Sequence, residues 1–304
     1  MKLGNKNLNA ENVIFTTLNT TFLILLSVAM VYPMLNTLAI SFNEGMDTVR
    51  GGIYLWPRIF SLQNYRVVFH MDTIYGAFMI SVTKTIVIVA TNLFFTAMLA
   101  YALSRREFIF RKSATIIFVM TMYFNAGLIP NYILIRDLHM INTFTVYWLP
   151  NIISAFNLIV IRTYIKSIPE SFIESAKMDG AREFRIFLQI ILPLCVPTLA
   201  TIALFVAVGS WNSWFDTFLY NSGRQNLSTL QYELQKLLSS AMNAGNTTQG
   251  GGANSAAQAG ASNVTTPQSI RAAITIVAAV PILAVYPFLQ RYFVNGLALG
   301  GVKE

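Results

Sequence analysis

The chain has 304 residues, of which 55% are hydrophobic and only 11% charged, whereas an ordinary soluble domain carries about a quarter charged residues; an ordinary soluble domain is excluded. The formal net charge of +8 would suit nucleic acid, but the basic residues stand beside the ends of apolar runs, where topology-setting charges belong, so no nucleic-acid partner is expected. Cys195 is the only cysteine, which excludes an internal disulfide and a cysteine metal cluster.

Residues 1–12 are polar and read as a short terminal segment ahead of the membrane. Uncharged runs follow at 12–43, 85–104, 113–135, 140–161, 186–215 and 272–290, each near or above the roughly 18 residues that suggest a bilayer-spanning helix. They predict an all-α membrane protein with six transmembrane helices, at 13–41, 75–103, 113–135, 141–165, 186–215 and 270–292. The first run is longer than a signal-peptide core and has no small-residue cleavage pattern close behind it, so it reads as a retained helix. Segments 42–74 and 217–269 form the two large connectors on one side. Within the second, 240–268 is poor in both large apolar and charged residues, which predicts a loop that is mobile when alone.

The lysines and arginines favour the other side. Arg105, Arg106, Arg111 and Lys112 crowd one short connector, and Lys177, Arg182 and Arg185 another; this excess places both connectors and both termini in the cytoplasm. Lys84 stands inside the second span, where it either snorkels to the outer interface or lines a path through the bundle. Pro130, Pro193, Pro197, Pro281 and Pro287 interrupt apolar runs and predict kinks.

Between the fourth and fifth spans, Ser167 and Glu170 have the S-x-x-E spacing of a capping box, which predicts a helix start. Phe172, Ile173 and Ala176 then recur on one side of that helix, with Glu170, Ser171, Glu174 and Lys177 on the other. Gly180 is suited to end it and reverse the chain, giving a helix, turn and helix over 167–185.

The spacing E-x-A-x-x-x-G-x(9)-I-x-L-P is formed by Glu174, Ala176, Gly180, Ile190, Leu192 and Pro193. It resembles the signature loop of the transmembrane subunits of bacterial ATP-driven (ABC) importers, with Ser175 standing where that family usually has Ala. The stretches Asn125–Pro130, Ser154–Leu158, Gly209–Phe215 and Tyr286–Phe293 look similar to the carbohydrate permeases related to the inner-membrane maltose permease, and closest to the lipoprotein/oligosaccharide permease subfamily. The likeness does not extend over 240–268. The resemblance implies the type I importer permease fold, with a permease core at 75–303 and a coupling helix between helices 4 and 5. It also implies that Glu174, Ser175, Ala176, Asp179 and Gly180 form the joint that docks on a cytoplasmic ATPase. A homologous second permease subunit, two ATPase subunits, an extracellular sugar-binding lipoprotein and membrane lipid would be the partners, in a bacterial cell membrane. In relatives of the maltose type an outer loop reaches into the binding protein, which makes 223–268 the candidate for that role here.

The chain has no G-x-x-x-x-G-K-[ST] phosphate cradle, since Gly250-Gly251-Gly252 is followed by Ala and Asn; ATP and Mg would be bound by the partner ATPase, with no cofactor in this chain. It has no G-x-S-x-G elbow either, and His70 and His139 lack a second histidine at metal-ligand spacing. A transport subunit rather than an enzyme is expected. A sugar path needs amides and hydroxyls beside aromatic rings, which singles out Asn125, Asn157, Trp211, Asn212, Trp214 and Lys84. The same residues would equally serve as helix-to-helix hydrogen bonds and an interfacial aromatic belt. An importer of a non-sugar solute and a non-transporting membrane scaffold or sensor are the alternatives.

Overall fold

A computed structural model describes residues 10–70, 72–247 and 265–301. Among these residues the fold is helical, its only β-type contact being an isolated bridge between Asn43 and Phe60. In chain order the helices are α1 (Ala10–Ser41), α2 (Gly45–Val49), α3 (Gln63–His70), α4 (Asp72–Ser104), α5 (Arg111–Tyr123), α6 (Leu128–Asp137), α7 (Thr145–Trp148) and α8 (Ala155–Ser167). They continue with α9 (Ser171–Met178), α10 (Glu183–Ile186), α11 (Leu192–Leu194), α12 (Val196–Asn212), α13 (Phe215–Tyr220), α14 (Leu230–Thr247) and α15 (Pro267–Gly301). The chain forms two compact units, Met1–His70 with Leu237–Val277, and Met71–Lys236 with Ala278–Glu304.

In the first unit, α1 is apolar all round, and large side chains from Phe15 to Leu35 stand exposed on every face. Such a helix is stable in a bilayer rather than in water. Its Val13–Ser41 stretch is long and apolar enough to cross one. The connector after α1 is built around Asn43, which is fully buried. Its Nδ2 donates to Glu44 O at 3.0 Å, Asp47 Oδ2 at 3.1 Å and Thr48 Oγ1 at 3.1 Å, while its Oδ1 accepts from the amides of Arg58 and Ile59 at 2.8 and 2.9 Å. Arg58 closes the turn with a 3.1 Å ion pair to Asp47.

The same unit begins α15 with Thr266 and Ser269, whose hydroxyls each accept from the other's amide, at 3.4 and 3.0 Å. This is a capping box with serine in the third position, followed by proline at the first helical one. The stretch between Lys236 and Arg271, expected as loop, is therefore partly helical: α14 runs on to Thr247 and α15 starts at Pro267. Leu230, Leu234, Leu237, Leu238 and Ala241 recur at helical spacing, and that periodicity outweighs the polar composition. Residues 248–264 lie outside the described ones.

In the second unit α4 is the axis, with α8 and α12 packed against it. The runs expected as single spans at 113–135, 141–165 and 186–215 are each broken. α5 and α6 meet at 119°, α7 with its following turn and α8 at 46°, and α10–α11 and α12 at 79°. Among the described residues, three helices are long and apolar enough to cross a membrane, and up to six spans result if each bent pair is one span. The first break falls at Gly127, which takes φ +89° and donates its amide to Asn125 Oδ1 at 2.9 Å. The third falls at Cys195, between Pro193 and Pro197, just after a π-helical turn over Phe187–Ile191. Proline cannot donate and its ring crowds the preceding turn, so the wider turn relieves the clash.

Candidate coupling joint and substrate cavity

α9 owes its place to a two-residue apolar face. Ile173 and Ala176 are buried, and share one cluster with Ala97, Ala100 and Leu103 of α4, Ile161 and Ile165 of α8, and Ile186 and Phe187 beyond the turn. Phe172, expected on that face, instead leaves 51% of its surface exposed. Ile173 and Ala176 are three apart and share one line along the helix, whereas Phe172 is rotated about 100° from its neighbour Ile173. The capping box also does not form. Ser167 Oγ donates back to Tyr164 O at 2.7 Å and ends α8, while Glu170 is the N-cap of α9 without a side-chain cap bond.

The C-terminus of α9 is closed as the glycine requires. Gly180 takes φ +76°, its amide donates to Lys177 O at 3.0 Å, and the Ala181 amide donates to Ala176 O at 2.9 Å. These two bonds are the Schellman pattern. Of the residues assigned to the joint, Glu174, Ser175, Asp179 and Gly180 are exposed and Ala176 points inward. Lys177 ties the elbow down. Its ammonium lies 3.0 Å from Glu107 and 2.8 Å from Glu183, whose carboxylate also accepts from the Tyr101 hydroxyl. The Glu183 bond, then the Glu107 bond, raises the Lys177 pKa above its ordinary value. Sequence reading assigned no role to Glu107, Glu183 or Tyr101, because their partnership exists only once α4, the 105–110 connector and α10 converge.

Further along the bundle a polar cavity of about 350 Å³ is lined by Lys84, Asn92, Asn151, Ser154, Asn157 and Asp216 among others. Asn157 Nδ2 donates to Asn92 Oδ1 at 3.2 Å, and Asn92 Nδ2 donates to Asn151 O at 2.7 Å. Ser154 caps α8 by accepting from the Asn157 amide at 3.5 Å. Lys84 does not snorkel: its side chain is 1% exposed, with Nζ 3.3 Å from both Ser213 O and Asp216 Oδ2, and 4.7 Å from the Tyr147 ring centre. On α4 Tyr101 at the joint lies about 13 Å of helix beyond Asn92 and about 25 Å beyond Lys84.

Lys84 and Asn157, of the residues singled out for the path, are thus brought together. Trp211 is buried beside it, with Nε1 donating to Ala278 O at 2.9 Å, and borders a separate apolar cleft of about 200 Å³ with Val82, Leu204 and Pro281. Asn212 is exposed and accepts from Gln231 Nε2 at 3.3 Å, Trp214 meets Phe215 edge-on and Phe218 at a tilt, and Asn125 serves the bend at Gly127. Asn92, Asn151 and Asp216 were missed. For Asn92 a signal existed, since an amide in the middle of an apolar run needs a partner.

Residues 94–299 match the model of a family described as binding-protein-dependent transport system inner membrane component. The polygalacturonan/rhamnogalacturonan transport system permease protein YtcP of Bacillus subtilis is 35% identical over 293 residues, covering 96% of this chain and 99% of that protein. The arabinooligosaccharides transport system permease protein AraQ of Halalkalibacterium halodurans is 30% identical over 278 residues, covering 90% and 91%. Among solved structures, a chain of a bacterial ABC transporter involved in the import of the acidic polysaccharide alginate superposes with a TM-score of 0.85 at 28% identity, covering 95% of this chain and all of that one.

Proposed function

Because the chain belongs to the family of binding-protein-dependent transport system inner membrane components, a family of transport subunits and not of enzymes, we propose that it forms half of the translocation path of an ATP-driven oligosaccharide importer. The glycan class is supported by what the relatives have in common: their names give polygalacturonan/rhamnogalacturonan and arabinooligosaccharides, and the solved neighbour is involved in the import of alginate. A cavity whose wall carries amides and hydroxyls suits the same chemistry.

In this reading α9 is the coupling helix. The observation that carries it is the burial of Ile173 and Ala176 in one cluster with α4, α8 and the start of the 186–212 segment, since a push on α9 then moves those helices as a body. Glu174, Ser175, Asp179 and Gly180 stay exposed beside Phe172 and Met178, which gives a cytoplasmic ATPase both polar and apolar surface to hold. A second permease subunit completes the path, the ATPase pair binds ATP and Mg, and an extracellular binding protein delivers sugar. The excess of lysine and arginine around 105–112 and 177–185 supports a cytoplasmic position for this elbow and for both termini.

The test is ATP-dependent uptake of a labelled oligosaccharide by the reconstituted complex. Gly180→Pro and Glu174→Lys are expected to abolish uptake while the subunit remains in the membrane at normal abundance. Uptake at the wild-type rate in both variants would remove the coupling assignment, and a wild-type complex that moves no glycan would remove the substrate class.

A further inference from the structure

The two polar bonds to Asp216 fall on the same oxygen. Ser213 Oγ donates to Oδ2 at 2.6 Å and Lys84 Nζ to the same Oδ2 at 3.3 Å, and Oδ1 makes no hydrogen bond among the described residues. An ionised carboxylate offers about four lone-pair sites over its two oxygens, so half of this group's accepting capacity is unused. The pair is also asymmetric toward the cavity. Lys84 is 1% exposed and Asp216 32%, so of the two charged groups that line the cavity the carboxylate is the more accessible. Asn92, Asn157 and Ser154 line the same space. Those groups and a free carboxylate oxygen match a ring of adjacent hydroxyls, each of which can donate to an acceptor.

We propose that Asp216 is a substrate-contacting residue: its Oδ1 accepts hydrogen bonds from sugar hydroxyls in the cavity, and Lys84 is the positioning residue that holds the carboxylate in place through Oδ2. The assignment rests on the oligosaccharide reading above and adds a specificity to it. A carboxylate at this wall attracts hydroxyl donors and repels a second carboxylate, since like charges at close range in a site of low dielectric cost more than in water. Neutral sugar units are therefore favoured at this point in the path over uronate units.

The complete reconstituted complex, with its own binding protein, is tested with two labelled probes, a neutral arabino-oligosaccharide and an oligogalacturonide. The binding protein is the same in every arm, so a change in the neutral-to-acidic uptake ratio between wild type and variant reports the cavity. Asp216→Asn is expected to lower neutral uptake tenfold or more and to shift the ratio toward the acidic probe. Because that variant strands the Lys84 charge, the double variant Lys84→Met with Asp216→Asn removes both charges together. If the pair only braces the fold, the double variant regains wild-type uptake and ratio, and the assignment is overturned. If Asp216 touches sugar, the double variant folds, stays in the membrane and keeps the shifted ratio. A wild-type complex that takes up neither probe overturns the oligosaccharide reading and this inference with it, whereas glycan uptake with a ratio unmoved by either variant overturns this inference alone.

Discussion

The Ala181 amide donates to the Ala176 carbonyl at 2.9 Å, around a left-handed residue at Gly180. Ala176 is at the same time buried among α4 and α8, so the bond that ends α9 begins at a residue fixed in the bundle. No atom stands within 4 Å of where a Gly180 Cβ would be, and the whole effect of a small side chain there is backbone strain. Gly180→Ala is expected to cost about 1–2 kcal/mol, and Gly180→Asn less, because Asn tolerates the left-handed region. Unfolding of the purified subunit in mixed detergent micelles measures both. Equal stability of all three proteins would mean that the turn does not need this conformation.

The Lys177 cluster gives a prediction in pH and salt. A lysine whose folded pKa is raised contributes stability that is fully present below its ordinary value, 10.5, and is lost as pH rises through the folded value. The stability difference between wild type and Lys177→Met should be constant from neutral pH up to that ordinary value and shrink above it. Added salt should also reduce the difference, since Lys177, Glu107 and Glu183 remain 34%, 69% and 49% exposed and exposed pairs are screened. A difference that grows with salt, or falls between neutral pH and mild alkali, would contradict this account.

The elbow was legible in sequence because each of its parts is local. Gly180 after a short amphipathic run announces a helix end by its freedom at positive φ, and the structure puts φ +76° there. What failed locally was the competition at its start, where Ser167 had two acceptable partners and took the carbonyl of the helix behind it. The cavity was half legible. Lys84 and Asn157 stand out as polar groups in apolar runs, but Asp216 is paired with Lys84 across 132 positions, and no spacing rule reaches that far. The third break was readable in Pro193 and Pro197, the first falls at Gly127 rather than at the expected Pro130, and the second, between Asn151 and Ala155, was not anticipated, while the angles of all three depend on packing that composition does not encode. The helix over 237–247 was missed for another reason, since its alanine, serine and asparagine content hid the leucine periodicity.

Asn43 should be among the least replaceable residues of the first unit. It is fully buried and its amide makes three donor and two acceptor contacts that organise the turn toward Arg58. Asn43→Leu has similar volume but strands the backbone amides of Arg58 and Ile59 and takes one donor from Asp47 and Thr48, which keep Arg58 and the Glu44 carbonyl as partners; each stranded buried group costs about 1–3 kcal/mol. The expected result is fast proteolytic cleavage between 44 and 62 in a subunit whose α1 still inserts. Wild-type protease resistance would show that the connector is held by something other than this side chain.

Cys195 offers a probe of the break between α11 and α12. Its side chain is 1% exposed and lies with Phe187, Ile191 and Ile202, while its amide donates to Ile191 O at 2.9 Å and Leu192 O at 3.2 Å. A thiol so enclosed reacts only when the segment opens. Alkylation by a membrane-permeant maleimide should therefore be slower than in unfolded protein by at least about a hundredfold, which corresponds to about 2.8 kcal/mol of opening at 1.4 kcal/mol per tenfold. If the 79° break is a hinge that flexes during transport, the rate rises when the assembled importer turns over ATP and returns when nucleotide is removed. A rate independent of turnover would mean that the break is a fixed bend, shaped by Pro193 and Pro197 and carried along rigidly with α12.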